Sequence, residues 1–314
     1  MKIVYMGTPS FAICPLNALL QTAHTVAGVY TQPDNRGGRG KILTASPVKS
    51  FAIERGLRVF EPNDLRTKNV KAQLSSLAPD LIVITAYGKI LPKEILGIPR
   101  LGCLNIHPSL LPLHRGPSPV VSTILEGDEI AGVTLMILDE GMDSGPILAR
   151  KEERIFPEDT TETLTHRLFE EGAKLLIKSL PGYLQGDLIA VPQDQSRATY
   201  TTKLKKEDGL IRWDLPLGTV ARQIRAYSPW PGSYTLWKGR ILKILQGAPI
   251  YDLPAGSEPP GTVLFLPQGS QAAVGVVTGS GTLGLLQVQL SGKQQVDAAA
   301  FVRGNHDFLG SHLG

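Results

Sequence analysis

The sequence predicts an α/β fold: a Rossmann-like N-terminal domain built on a mostly parallel sheet, followed by a smaller C-terminal β-barrel domain of OB-like type. Three observations predict it. Apolar, β-branched runs alternate with segments of helical spacing through the first half of the chain. The joint between the first two runs, FAICPLNALLQTAH, has the length of the crossover in a βαβ unit. From Pro260 onward that alternation stops, and short strand-like runs separated by turns take over.

Taken in order, KIVYMG is a strand, FAICPLNALLQTAH a helix and TVAGVYTQ a second strand. SPVKSFAIERG (helix), LRVF (strand), LRTKNVKAQLSSLA (helix), DLIVITAY (strand) and GCLNIH (strand) continue the pattern. Strands of this kind, apolar along their whole length, suit a sheet covered on both faces. GVTLMILDE reads as a further strand and ILARKEERI as an extended segment after it. A long helix is expected from about Thr160 to Gln185, with Asp159 and Glu162 as an N-terminal capping pattern and an apolar stripe of Leu164, Leu168, Leu175, Leu176 and Leu180. After Gly186 the chain turns polar, and VPQDQSRATYTTKLKKEDG reads as a linker. WDLPLGTVARQIRAYSPWPGSYTLWKGRILKI holds one short helix, an irregular aromatic-rich turn and strands. GTVLFL, AAVGVVTG and GTLGLLQVQL are strands, with a short helix near the end. The expected division is residues 1–186 as the catalytic domain, 187–208 as linker and 209–314 as the β-barrel domain.

Composition narrows the function classes. A chain of 314 residues with 42% hydrophobic content has room for two cores, and no apolar run is long enough to span a bilayer. MKIVYMGTPSFAI is interrupted by Gly7, Thr8 and Pro9, which suits a first strand and turn better than a secretory leader. Cys14 and Cys103 are too few for a disulfide framework or a structural zinc site, so both are expected to be small buried residues in a cytoplasmic protein. A net charge of +4 permits an anionic partner. The stretch from Gln32 to Lys49 gathers Arg36, Arg39, Lys41 and Lys49 against Asp34, and Lys205 and Lys206 sit together in LKKEDG. The glycines among the first group do not have P-loop spacing, and MGTPSF lacks the dinucleotide fingerprint, which disfavours NAD.

The chemistry concentrates in LNIHPSLLPLHRGPSPV. Alternation puts Asn105 and His107 on one face of a strand that Pro108 then ends. The strand before it ends in Tyr87-Gly88, and GVTLMILDEGMDSGPIL ends in a loop holding Asp143. In open α/β sheets the carboxyl ends of strands are where ligands bind.

NIHPSLLP, the RG-x-SP of Arg115 to Pro119 and DEGMDSGPIL together resemble the formyltransferases that use 10-formyltetrahydrofolate. The family's catalytic Asn-x-His and later Asp fall on Asn105, His107 and Asp143. MGTPSFA, TQPDNRGGRGKILTASPVK, AYGKILP, RAYSPWPGSYT and the terminal FVRG extend the likeness over nearly the whole chain, toward members whose acceptor is methionine esterified to initiator tRNA. Leu113-His114 replaces the more usual basic-aromatic pair, and Pro117 stands where Ala is common.

That resemblance implies an amine attacking a formyl carbon while N10 of the folate leaves. Asn105 would donate to the developing oxyanion, His107 would donate a second bond to the same oxygen, and Asp143 would hold the His107 tautomer or raise its pKa and relay a proton. It implies 10-formyltetrahydrofolate as co-substrate and no metal. The folate is expected against Tyr87, Gly88, Lys89, Ile90 and Leu91, the turn of Ser109, Leu110, Leu111 and Pro112, and Asp139 and Gly141 before Asp143. The tRNA is expected on Arg36, Arg39 and Lys41, on Lys205 and Lys206, and on Arg222, Arg225 and Lys243. The enzyme is expected to be a monomer. A glycinamide ribonucleotide formyltransferase-like enzyme, which would lack the C-terminal domain, and a non-catalytic RNA-binding module are the alternatives.

Overall fold

A computed structural model describes residues 1–37, 42–251 and 258–314. The chain forms two units. The first comprises Met1–Pro119, Ile130–Ile155 and Thr165–Thr201; the second comprises Val120–Glu129, Phe156–Leu164 and Thr202–Gly314.

The first unit begins with β1 (Lys2–Gly7), α1 (Ile13–Leu20), β2 (Thr25–Tyr30), β3 (Asn35–Gly37), β4 (Ile42–Thr44) and α2 (Pro47–Glu54). β5 (Val59–Phe60), α3 (Lys68–Ser76), β6 (Leu81–Thr85), α4 (Lys93–Leu96) and β7 (Cys103–His107) follow. Beyond α5 (Pro119–Glu126), which from Val120 belongs to the second unit, come β8 (Ile130–Ile137), β9 (Ile147–Arg154) and α6 (Thr161–Gln185), the last in the first unit from Thr165 on. The helix starts are written in the sequence. Ser46 accepts from Lys49 N at 3.0 Å ahead of Pro47, and Thr67 accepts from Val70 N at 3.4 Å.

Seven strands form one sheet in the order β5-β2-β1-β6-β7-β8-β9. Pairing is parallel from β5 through β7. β8 runs antiparallel to β7, and β9 antiparallel to β8. The sheet is therefore mostly parallel with an antiparallel margin, and β9, half of it charged in the run KEER, is an edge that water can cover. Period-2 alternation sorts the core. Ile3, Tyr5, Leu81, Val83, Leu104 and Ile106 face one apolar cluster, whereas Val4, Met6, Ile82, Ile84 and Cys103 face the other. Cys103 is buried as expected, and Cys14 is only half-buried.

Residues 187–201 are not a linker. Val191 and Ile147 exchange backbone hydrogen bonds of 2.8 Å, and Arg115 N donates to Thr199 O at 2.9 Å. The segment is polar because its side chains satisfy polar groups inside the first unit, Gln193 bonding Arg115, Asp143 and Gly145. The expected boundary at 186/187 is corrected accordingly.

The second unit carries α7 (Leu217–Ala226), β10 (Tyr234–Trp237), β11 (Arg240–Ile250), β12 (Val263–Phe265), β13 (Val274–Thr278), β14 (Gly281–Leu290), β15 (Val296–Asp297) and α8 (Ala298–Arg303). Six of these strands make an antiparallel sheet in the order β10-β11-β14-β13-β12, with β15 beside β14. The barrel is completed by the tail rather than by a strand pair. Val263 N donates to Ser311 O and Leu313 N to Gly261 O at one edge, and Gly314 N donates to Leu236 O at the other. Trp237, Phe301 and Phe308 pack edge to face at 5.1–5.5 Å beneath it. Arg222 Nε donates to Leu125 O at 2.9 Å and Arg225 Nη1 to Asp159 O at 2.8 Å, so both guanidinium groups hold the unit's own segments together. Among the described residues, no helix is long and apolar enough to cross a membrane.

Gly172 ties the helical layer to the site strand. A Cβ there would lie 2.6 Å from Ile106 Cγ2 and 3.0 Å from Val133 Cγ2. Gly172→Ala should therefore overpack the contact between α6 and β7 and lower stability by about 1–3 kcal/mol, read as a lower midpoint in urea unfolding.

Candidate active site

Asn105 and His107 lie on β7, opposite Met136 and Thr134 of β8. Leu104 and Ile106 anchor the other face of the strand in the core, which turns the two polar residues to the same side. Pro108 ends the strand, and the chain folds into a turn through Ser109–Pro112. Thr134, fully buried, holds that turn: it donates to Ser109 O at 2.6 Å and accepts from Leu111 N at 3.1 Å.

His107 is buried. Its Nε2 lies 3.2 Å from the His114 carbonyl, which only an N–H can satisfy, so Nε2 carries the proton. Nδ1 faces Asp143 Oδ1 at 3.7 Å. Burial holds the imidazole below its ordinary value of 6.5, against the opposing pull of Asp143. The ring is thus neutral at pH 7, with a lone pair on Nδ1. The resemblance implies that Asp143 holds the tautomer or raises the pKa; the hydrogen bond that fixes the tautomer here is the one to the His114 carbonyl.

Asp143 arrives from the loop between β8 and β9. Leu138 N bonds Cys103 O at the opening end of β7, so the loop folds back along the strand to reach His107. Several devices hold it. Asp139 accepts from Gly141 N and Ser144 Oγ, and Gly145 presses so close to the Ile137 carbonyl that a Cβ would stand 1.9 Å away. Asp143 itself has φ +49, a conformation costly for a residue with a side chain. Its Oδ2 accepts from Gly116 N at 2.8 Å.

Two residues outside the expected site complete the arrangement. Gln193 donates from Nε2 to the carbonyls of Asp143 and Gly145 at 2.8 and 2.7 Å. Arg115, fully buried, donates to Gln193 Oε1 from Nε and Nη2, and to Gln195 Oε1 and Tyr200 Oη from Nη1. Arg115 stands in the RG motif, whereas Gln193 lies in the stretch whose polarity predicts a linker. The signal there was QDQ, two amides on one side of an extended chain.

Asn105 is half-buried, and among the described residues its amide has no hydrogen-bond partner. The expected folate contacts divide. Leu110 rests on Gly132, where a Cβ would meet it at 2.3 Å, and Leu111 packs with Met136 and Ile147. Asp139 and Gly141 are exposed in the Asp143 loop. Gly88, at φ +80, makes the turn after β6. Tyr87 is corrected: its ring is in the core, and its carbonyl already accepts from Thr8 and Gln32. Leu91 is likewise core, and the Lys89 ammonium is held by the carbonyls of Pro62 and Asn63. Ile90, 85% exposed, is the side chain this segment presents.

Of the expected tRNA contacts, Arg36 lies on β3, and Arg39 and Lys41 fall outside the described residues. Lys205, Lys206 and Lys243 are exposed on the second unit. Arg222 and Arg225 are half-buried, and each spends one donor within the unit, Nε of the first on the Leu125 carbonyl and Nη1 of the second on the Asp159 carbonyl.

A mostly parallel α/β unit carrying this site, joined to an antiparallel β unit, is the formyltransferase fold. The chain belongs to the formyl transferase family: the model described as "Formyl transferase" matches residues 1–180, and "Formyl transferase, C-terminal domain" matches residues 203–306. It is 45% identical over 315 residues to a methionyl-tRNA formyltransferase of Roseiflexus sp. (strain RS-1), covering 100% of this chain and 95% of that one. A methionyl-tRNA formyltransferase of Chloroflexus aurantiacus (strain ATCC 29366 / DSM 635 / J-10-fl) is 46% identical over 306 residues, covering 98% and 97%. Among solved structures, the sugar 3N-formyl transferase WlaRD, crystallised with dTDP and 5-N-formyl-THF, shares the fold with a TM-score of 0.65 at 17% identity, covering 94% of this chain and 99% of that one. HypX from Aquifex aeolicus in complex with tetrahydrofolic acid does so with a TM-score of 0.60 at 20% identity, covering 96% and 47%.

The buried imidazole makes a stability prediction. Its folded-state pKa is depressed below 6.5, so the folded protein resists protonation that the unfolded chain accepts. The stability it contributes is present above the unfolded value and is lost as pH falls toward the folded one. Between pH 7 and pH 5 the urea midpoint of the wild type should therefore drop more than that of His107→Asn.

Proposed function

We propose that this chain transfers the formyl group of 10-formyltetrahydrofolate to the α-amine of methionyl-tRNA, as a monomeric cytoplasmic enzyme of translation initiation. The observation that carries the reading is the full-length likeness, across both units, to relatives named methionyl-tRNA formyltransferase. The C-terminal unit, matched by its own family domain, favours it over a glycinamide ribonucleotide formyltransferase-like enzyme.

The residues fit the folate. An unpartnered, half-buried Asn105 amide lies on the same face as His107, and Ile90 and Leu110 supply apolar surface for a flat ring. When bound, 10-formyltetrahydrofolate supplies an activated formyl carbon. Asn105 donates a hydrogen bond to the formyl oxygen as negative charge develops there, in a setting where one such donor contributes about 3–4 kcal/mol. His107 Nδ1, unprotonated, takes a proton from the attacking amine and returns it to N10 of the folate as the bond between N10 and the formyl carbon breaks, while Asp143 Oδ1 stabilises the imidazolium in between. With Nε2 committed to the His114 carbonyl, His107 works through Nδ1 and leaves the formyl oxygen to Asn105. Exposed Lys205, Lys206 and Lys243, together with Arg36, Arg39 and Lys41, are the cations we assign to tRNA phosphates.

The direct experiment supplies methionyl-tRNA and 10-formyltetrahydrofolate and looks for formylmethionyl-tRNA. Its absence with active substrates would remove the reading. Asn105→Ala, His107→Ala and Asp143→Ala should each lower kcat by about a hundredfold or more with folding retained. Near-normal turnover in all three would refute the mechanism while leaving the reaction intact.

A further inference from the structure

Among the described residues one hydrogen bond fixes the Asp143 carboxylate, and it spans 27 residues. Oδ2 is held by Gly116 N, but the backbone that carries the residue sits at φ +49. A left-handed aspartate needs an external restraint to stay in one place. The carbonyl of Asp143 itself is gripped by Gln193 Nε2, 50 residues away in the chain, and the same nitrogen grips Gly145 O. Gln193 is buried, 7% exposed, so these bonds are shielded from competing water.

A glutamine amide has a donor end and an acceptor end, and nothing in its shape decides which way round it sits. Arg115 decides it here. The guanidinium has donors only, and two of them meet Oε1 at 3.1 and 2.7 Å. The Nε2 end is thereby turned toward the two carbonyls. Among the described residues no carboxylate pairs with Arg115: its remaining contacts are Gln195 Oε1, Tyr200 Oη and the Tyr200 ring at 5.7 Å. A buried cation satisfied only by dipoles will not release the amide it holds without a large cost.

We propose that Gln193 is a positioning residue for the reaction, locked in orientation by buried Arg115, and that it keeps the Asp143 carboxylate facing His107. The proposal rests on the reading of Asn105, His107 and Asp143 as the reacting groups. It separates two roles that a buried glutamine combines: anchoring Arg115 through Oε1, and aiming Asp143 through Nε2.

Gln193→Glu tells the two apart. The carboxylate is nearly isosteric and stays paired with Arg115, so the anchoring role survives or strengthens. An oxygen then replaces the amide nitrogen opposite two carbonyl oxygens, and the aiming role is lost. The expected result is a kcat lowered about 10- to 100-fold, as for a reacting group misplaced by about 1 Å, with KM for both substrates within about twofold of wild type. Amide exchange at Gly116, protected by Asp143 Oδ2, should accelerate at the same time. A purely anchoring glutamine predicts wild-type kcat and wild-type exchange, and that result would overturn the proposal. Gln193→Ala, which removes both roles, should show the same exchange behaviour together with a lower Tm. Asp143→Asn measured alongside separates the two levels. If it turns over normally, the reading of the reacting groups fails, and Gly116 exchange in Gln193→Glu alone decides whether Gln193 positions Asp143. If Asp143→Asn is impaired and Gln193→Glu is not, the positioning proposal fails and the site reading stands.

Discussion

Among the described residues no carboxylate pairs with the buried Arg115 guanidinium, so dipoles must satisfy it, and satisfying it is what brings the loops of the site together. Three stretches distant in sequence meet on it. The turn after β7 supplies the cation, the segment of residues 193–200 supplies two amides and a phenol, and the β8–β9 loop is fastened to the far end of the first amide. An acid in place of either glutamine would neutralise the charge and make the network less dependent on orientation. With neutral partners, each hydrogen bond has a fixed direction, and the direction propagates to Asp143.

The same economy governs His107. Burial disfavours its charged form, and the His114 carbonyl fixes which nitrogen carries the remaining proton. The outcome is an imidazole with one reactive nitrogen, turned toward a carboxylate 3.7 Å away. That separation is too long for a hydrogen bond and close enough for a strong Coulombic response once the ring gains a proton. An amide and a neutral base on one face of β7, with a carboxylate brought beside them by a loop, form a set that waits for charge to develop elsewhere.

Much of this was legible in the sequence because it depends on short-range pattern. Unbroken apolar runs in KIVYMG, DLIVITAY and GCLNIH give the parallel strands, and alternation along the last puts Asn105 with His107. Pro47 after Ser46, and the apolar stripe between Leu164 and Leu180, gave helices where they stand. What escaped depends on contacts between distant residues. QDQSRATY is polar either because water covers it or because Arg115 does, and composition is identical in the two cases. β8 and β9 carry the same apolar signature whichever direction they run. The cationic side chains of Arg222 and Arg225 look wholly available for phosphate until one donor of each is seen on a carbonyl, that of Leu125 for the first and of Asp159 for the second. Tyr87 looked like a ligand contact from its place at a strand end, and its ring turns inward because Tyr30, Ile84 and Leu91 offer it more apolar surface.

His107 enters the reaction neutral, protonated on Nε2 and open on Nδ1. Nitrogen-15 NMR of the imidazole in the resting full-length enzyme at pH 7.5 tests it most directly. One nitrogen, Nε2, is expected to be coupled to a proton bonded to the His114 carbonyl, with the Nδ1 resonance in the range of an unprotonated nitrogen. A proton found on Nδ1 at that pH, whether in the other neutral tautomer or in an imidazolium paired with Asp143, would contradict it.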